Sequence, residues 1–125
     1  MRAILDTSFL LLTFELGRDL LDVISSKLGE HIEPSVVGST LSELDELSRK
    51  RGRRGNLARL ALEYAKGLPV LGESGKSYAD EELEEVSKKA GYAIITSDSK
   101  LFRRLCQRSC RAIYVTRRVE IKICE

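Results

Sequence analysis

The sequence predicts an α/β fold: a mostly parallel sheet covered by helices on both faces. Short apolar or β-branched runs such as RAILD, YAIIT and RAIYV alternate with longer segments whose apolar residues recur at helical spacing. The alternation runs through nearly the whole chain, the pattern of strands joined by helical crossovers. Glycines 29, 67 and 91 stand where helical segments would end.

In order, RAILD reads as a short buried strand, and Asp6 or Thr7 would cap a helix over SFLLLTFEL. RDLLDVISSKL is an amphipathic helix on Leu20, Leu21, Val23, Ile24 and Leu28, stopped by Gly29. HIEPSVV is a second strand edged by Pro34, and GSTLSELDELSRK a helix with Ser39 or Thr40 available as cap. RRGNLARLALEYAKG is helical, LPVLG a third strand, ADEELEEVSKKAG a helix and YAIIT a fourth strand. SKLFRRLCQR is helical, RAIYV is the fifth strand, and RRVEIKIC an extended edge or hairpin partner. About five strands result, with no repeat and no domain boundary, so residues 1–125 read as one domain.

Composition narrows the class. Hydrophobic residues at 42% and charged residues at 32% give the balance of a globular chain with a core of its own. The longest apolar run, FLLLTF, is too short for a membrane span, and the start lacks the features of a signal peptide, which points to the cytoplasm. Cys106, Cys110 and Cys124 are odd in number and crowded at one end, so they read as reduced, partly buried thiols rather than a disulfide framework. With His31 as the only histidine they do not make a zinc set. The net charge of +2 hides two basic clusters, Arg49 to Arg59 and Lys100 through Arg111 to Arg118, around a separate acidic segment, YADEELEE. That distribution suits a polyanion held near a cation.

The acids fall where such a fold places ligands. In open α/β sheets the crevice lies beyond the carboxyl ends of the strands. Asp6 ends the first strand, Asp98 follows YAIIT, and Asp80 opens the helix after the third strand. On a helical wheel Asp80 borders the stripe of Leu83, Val86 and Ala90, while Glu81, Glu84 and Glu85 turn toward solvent. Val37, Leu41, Leu44 and Leu47 form the stripe of the earlier helix, bordered by Glu43 on one side and Asp45 on the other; periodicity does not choose between them. Each acid also has an ordinary duty open to it, as a cap or a helix-start charge. Together, four carboxylates on one edge would repel one another without cations. With Mg²⁺ or Mn²⁺ they become oxygen ligands suited to hydrolysing a phosphodiester, chemistry that needs neither histidine nor thiol.

Two other site types fit poorly. LGESGKS lacks the first glycine of a phosphate loop, because Val70 stands there, and a dehalogenase-like phosphatase would want an acid where Ser8 stands.

The set DTSFLL, SELDEL, YADEELEEV and ITSDSKLFRRL resembles the signature of a PIN domain, a family of metal-dependent nucleases, over nearly the whole chain. The ADEE and TSDSKLFRR segments look most like archaeal members related to the branch that processes ribosomal RNA; the toxin branch of toxin–antitoxin pairs is the other populous one. The resemblance implies a three-layer α/β/α sandwich and an endoribonuclease using Mg²⁺ or Mn²⁺. It makes Asp6, Glu43, Asp80 and Asp98 the catalytic acids. Asp6 and Asp80 would be direct metal ligands, Asp98 one directly or through water, and Glu43 the acid that holds or activates water. Ser8, Thr96 and Ser97 would be the small polar residues that orient them. Arg49, Lys50, Arg51, Arg53, Arg54, Lys100, Arg103 and Arg104 are the candidate RNA contacts. RNA is the expected partner, with an antitoxin protein added in the toxin branch; dimers are frequent in the family, but no stripe here demands one. A ribosome-assembly protein that binds RNA on the same fold without cutting it is the non-enzymatic alternative.

Overall fold

The computed structural model describes residues 1–72 and 79–125, so residues 73–77 of LGESGKS and Tyr78 of YADEELEE lie outside the described residues. Among those described, the sheet contains β1 (Arg2–Leu5), β2 (Glu33–Val37), β3 (Val70–Leu71), β4 (Ala93–Thr96), β5 (Ala112–Val115) and β6 (Ile121–Cys124). Their spatial order is β3-β2-β1-β4-β5-β6. Neighbours run parallel except β6, which returns antiparallel along β5 with Val115 opposite Ile121. This sixth strand is the end of RRVEIKIC. A tight reversal seats it, with Thr116 N–H donating to Glu120 O at 2.9 Å and Val119 N–H to Thr116 O at 2.8 Å.

The helices are α1 (Thr7–Leu16), α2 (Leu20–Leu28), α3 (Gly38–Ser48), α4 (Arg53–Ala65), α5 (Ala79–Ala90) and α6 (Ser99–Gln107). They cover both faces, and the strands divide their side chains with period two. Ala3, Leu5, Ile95 and Ile113 join the core beneath α1 to α4, whereas Ile4, Ile94 and Ala112 join that beneath α5 and α6. The result is the three-layer arrangement. Strand order reverses between β1 and β4, so the two strands that end nearest Asp6 and Asp98 flank the switch point.

Local chemistry explains most boundaries. Asp6, Asp19 and Asp98 are the N-caps of α1, α2 and α6, each accepting from backbone amides of the first turn. Gly17 and Gly29 end α1 and α2 in left-handed conformations that glycine adopts without strain. α3 departs from expectation: it begins at Gly38, so Ser39 and Thr40 lie inside it, and Val37 at the cap position makes no side-chain capping bond. Buried Gly55 lets α4 press against the chain after α3, since a Cβ there would stand 1.9 Å from Lys50 O.

Three further expectations are corrected. On α5, Ala90 is exposed and Ser87 takes its place in the buried stripe, donating its hydroxyl to Tyr92 O at 2.7 Å. Glu84 does not face solvent. It is buried because Arg108, Lys88 and Arg104 reach it at 3.2, 3.4 and 3.9 Å, supplying the opposite charge that a buried carboxylate requires. Cys106 and Cys124 are joined in a disulfide, while Cys110 is a free, buried thiol. The pairing follows from β6: running back along β5, it brings Cys124 beside α6, a proximity that eighteen residues of separation conceal. The cysteine pattern therefore no longer argues for a reducing compartment. Among the described residues no helix is long and apolar enough to cross a membrane.

Candidate active site

A cleft of about 350 Å³ opens at the carboxyl ends of the parallel strands. Asp6, Glu43, Asp80 and Asp98 all line it, with Thr7, Ser8, Thr40 and Arg54 among their neighbours and Leu11, Leu47, Leu83 and Leu101 as its apolar walls. The four acids come from the end of β1, from α3, from the first turn of α5 and from the cap of α6. Glu43, not Asp45, faces the cleft; Asp45 pairs with Arg49 at 2.8 Å on the outer surface.

Asp6 is the most constrained of them. It is 4% exposed, and its carboxylate accepts from Phe9 N–H at 2.9 Å, from Ser8 Oγ at 2.9 and 3.0 Å, and from Thr96 Oγ1. Its own N–H donates to Ile95 O at 3.2 Å, extending the β1–β4 ladder by one bond. Burial pushes its pKa up to about 7, against the pull of the bonds from Thr96, Phe9 and Ser8, and the charge of Asp98 adds to the rise. Asp80 is also raised, first by desolvation and further by Asp98 and Glu43, while Arg104 opposes the shift. Both carboxyls are thus harder to ionise than in water, chiefly through burial, and each also feels the charge of Asp98.

Thr96 ties two acids together. Besides donating to Asp6, its hydroxyl accepts the Asp98 N–H at 3.0 Å. Ser8 extends the network, accepting the Ser97 N–H at 3.0 Å. Ser97 takes part through its backbone, and its buried hydroxyl meets no partner among the described residues. Asp98 caps α6 at the same time, accepting from Lys100 N–H at 2.9 Å and Leu101 N–H at 3.2 Å. Capping and site membership are therefore joint duties of Asp6 and Asp98.

The basic residues divide. Arg49, Lys50, Arg51, Arg53 and Arg54 are exposed around the α3–α4 connection, and of these Arg54 reaches the cleft wall. Lys100 and Arg103 are exposed on α6, whereas half-buried Arg104 sits between Glu84 and the field of Asp80. The sequence reading missed Thr7 and Thr40 as parts of the cleft. Both hydroxyls are buried without a partner among the described residues, and only their positions one residue after Asp6 and three before Glu43 hinted at it.

Carboxylate and hydroxyl oxygens are the donors that Mg²⁺ and Mn²⁺ prefer. No three acidic, histidine or cysteine side chains among the described residues stand close enough together to hold an ion by themselves. The donor set fits an open site, in which water and substrate oxygens complete the shell.

A family model described as a PIN like domain matches residues 3–118, and the chain belongs to that family. No curated protein matches it. Among solved structures, the PIN domain endonuclease Utp24 is similar at 24% identity, over 98% of this chain and 90% of that one, with a TM-score of 0.78. A domain of a functionally unknown protein from Methanocaldococcus jannaschii DSM 2661 is similar at 17% identity over 90% and 89% of the two chains, with a TM-score of 0.67. VapBC-1 from nontypeable Haemophilus influenzae is similar at 14% identity over 86% and 94%, with a TM-score of 0.60. At these identities the likeness is one of fold.

Proposed function

We infer that the protein is an endoribonuclease that hydrolyses RNA phosphodiester bonds with Mg²⁺ or Mn²⁺, acting in the cytoplasm on ribosomal RNA precursors. One observation carries the reading: Asp6, Glu43, Asp80 and Asp98, brought from four elements spread over ninety residues, line a single cleft at the switch point of the sheet. The resemblance of the ADEE and TSDSKLFRR segments to the RNA-processing branch supports the choice of substrate. A divalent ion held there would supply charge neutralisation and an acidified water. Asp6 and Asp80 would hold it together with water and substrate oxygens, and Asp98 would reach it directly or through water. Thr96 and Ser8 fix the Asp6 carboxylate in one orientation, and Glu43, at the rim, is placed to take a proton from water. Arg54 binds a phosphate at the cleft mouth, and the exposed arginines from Arg49 to Arg53 extend that contact along the strand.

The test is incubation of the purified protein and its Asp80→Asn variant with single-stranded and structured RNAs in Mn²⁺, in Mg²⁺ and in chelator. Cleavage that needs both the metal and Asp80 is expected. RNA bound but left whole under every condition would make the protein an assembly factor, and cleavage indifferent to Asp80 would remove this acid from the mechanism.

A further inference from the structure

α3 starts without a cap of its own, because Val37 offers no polar atom to its first turn. The missing acceptor comes from another helix. Ser39 N–H donates to Glu82 Oε1 at 2.9 Å and Ser39 Oγ to the same oxygen at 2.7 Å, across 43 residues of sequence. Glu82 belongs to α5 and is 7% exposed. The turn after β3 crowds it from the other side: a Cβ on Gly72 would stand 3.3 Å from Glu82 Cδ. A carboxylate set against the N-terminal amides of a helix meets both their unpaired donors and the positive end of the helix dipole, which accounts for its burial with no cationic partner among the described residues.

This contact joins the two helices that carry Asp80 and Glu43. Asp80 lies two residues before Glu82 on α5, and Glu43 lies one turn beyond Ser39 on α3; both line the cleft, and the charge of Glu43 is felt at Asp80. Asp6 and Asp98 need no such clamp, since adjacent sheet strands and Thr96 already hold them together. We propose that Glu82 is a positioning residue: it caps α3 from α5 and thereby fixes the separation of Asp80 and Glu43 against their mutual repulsion. The proposal rests on the metal-nuclease reading above for its consequence, though not for the cap itself.

Glu82→Ala, Glu82→Gln and Ser39→Ala would be compared with the parent protein by thermal unfolding, by the amide resonance of Ser39 in ¹⁵N NMR, and by calorimetric titration with Mn²⁺. The Ala variant at Glu82 is expected to move the Ser39 amide upfield and to weaken Mn²⁺ binding at least about tenfold, the usual cost of losing a group that orients a ligand. Glu82→Gln keeps an acceptor oxygen and should restore binding to within roughly threefold. Ser39→Ala, which keeps the amide bond, should fall between them; should Glu82→Ala not fold, this variant and Glu82→Gln carry the comparison. A folded Glu82→Ala protein with a shifted Ser39 amide but unchanged Mn²⁺ affinity would overturn the positioning role. So would a Gln variant as weak as the Ala one, which would mean that charge rather than the bond matters. If the parent protein takes up no Mn²⁺, the nuclease reading fails separately, and an unmoved Ser39 amide in Glu82→Ala would overturn the cap on its own.

Discussion

The hydroxyl of Thr96 joins Asp6 to Asp98: it donates to the carboxylate of one, 90 positions away, and accepts the backbone N–H of the other, linking acids at the ends of neighbouring parallel strands. Its bond is the largest of those that restrain the rise of the Asp6 pKa. Thr96→Val keeps the shape and removes both bonds. We predict that the Asp6 pKa climbs above its present value near 7 and that stability above neutral pH falls by about 1–3 kcal/mol, with Thr96→Ser recovering most of the loss. A ¹³C titration of the Asp6 carboxyl and urea unfolding at pH 8 would check this; an unmoved pKa in the Val variant would show the bond to be idle.

The raised pKa of Asp6 gives the metal-free protein a distinctive pH dependence. The folded state holds the Asp6 proton up to about pH 7, while the unfolded chain releases it near 3.8. Stability must then decline as pH rises between these values, because the folded state binds more protons throughout that interval. The penalty is absent below the lower value and complete above the upper one, of the order of 4 kcal/mol. Asp6→Asn should be more stable than the parent protein at pH 8 without metal and nearly equal to it at pH 4. Equal stability of the two proteins across the whole range would refute the burial cost. In the same window Mn²⁺ affinity should strengthen with rising pH, since binding must displace that proton.

Gly55 lies where α4 meets the chain after α3, and Gly55→Ala would drive its Cβ into the Lys50 carbonyl at 1.9 Å. Backbone cannot swing aside as a flexible side chain can. A loss of about 3 kcal/mol is expected. Arg54 precedes it on the cleft wall, so RNA binding should weaken as well. Normal thermal stability in this variant would mean that the α3–α4 connection yields easily.

The disulfide between Cys106 and Cys124 closes a loop across α6, β5 and β6. Reduction, or Cys106→Ser with Cys124→Ser, should cost about 3 kcal/mol on chain-entropy grounds for a loop of this length. The midpoint of thermal unfolding should drop by about 10 °C for a chain of this size. A midpoint indifferent to reductant would show that the β5–β6 pairing alone secures the edge.

The parts of this molecule legible in the sequence are those governed by near neighbours. Alternation of apolar runs located β1 to β5 and the six described helices, and the strand-end rule brought Asp6, Asp80 and Asp98 to one edge. The wheel turned Glu84 on α5 outward because a single helix says nothing of charges on its neighbours. Glu84 is neutralised by α6, and Glu82 is spent on the N-terminus of α3; both partners are remote in sequence. Glu43 and Asp45 were indistinguishable by period, and the choice came from Arg49, four residues beyond Asp45, which claims it on the surface. The disulfide was hidden for a similar reason, since it depends on the antiparallel return of β6.

The Asp6 N–H bond to Ile95 O places one side of the cleft inside the central ladder of the sheet, between strands that are themselves buried. Amides there open to solvent only when the whole domain unfolds, whereas helices on the periphery can open in smaller excursions at lower free energy. The amide of Asp6 should therefore exchange among the slowest in the molecule, and those of Asp80 and Glu43, on the covering helices, more readily. Hydrogen exchange would divide the cleft into a permanent half and an intermittent one. A ligand that bridges the halves would slow exchange chiefly in α3 and α5, leaving β1 and β4, already at the global limit, to gain only what the whole fold gains.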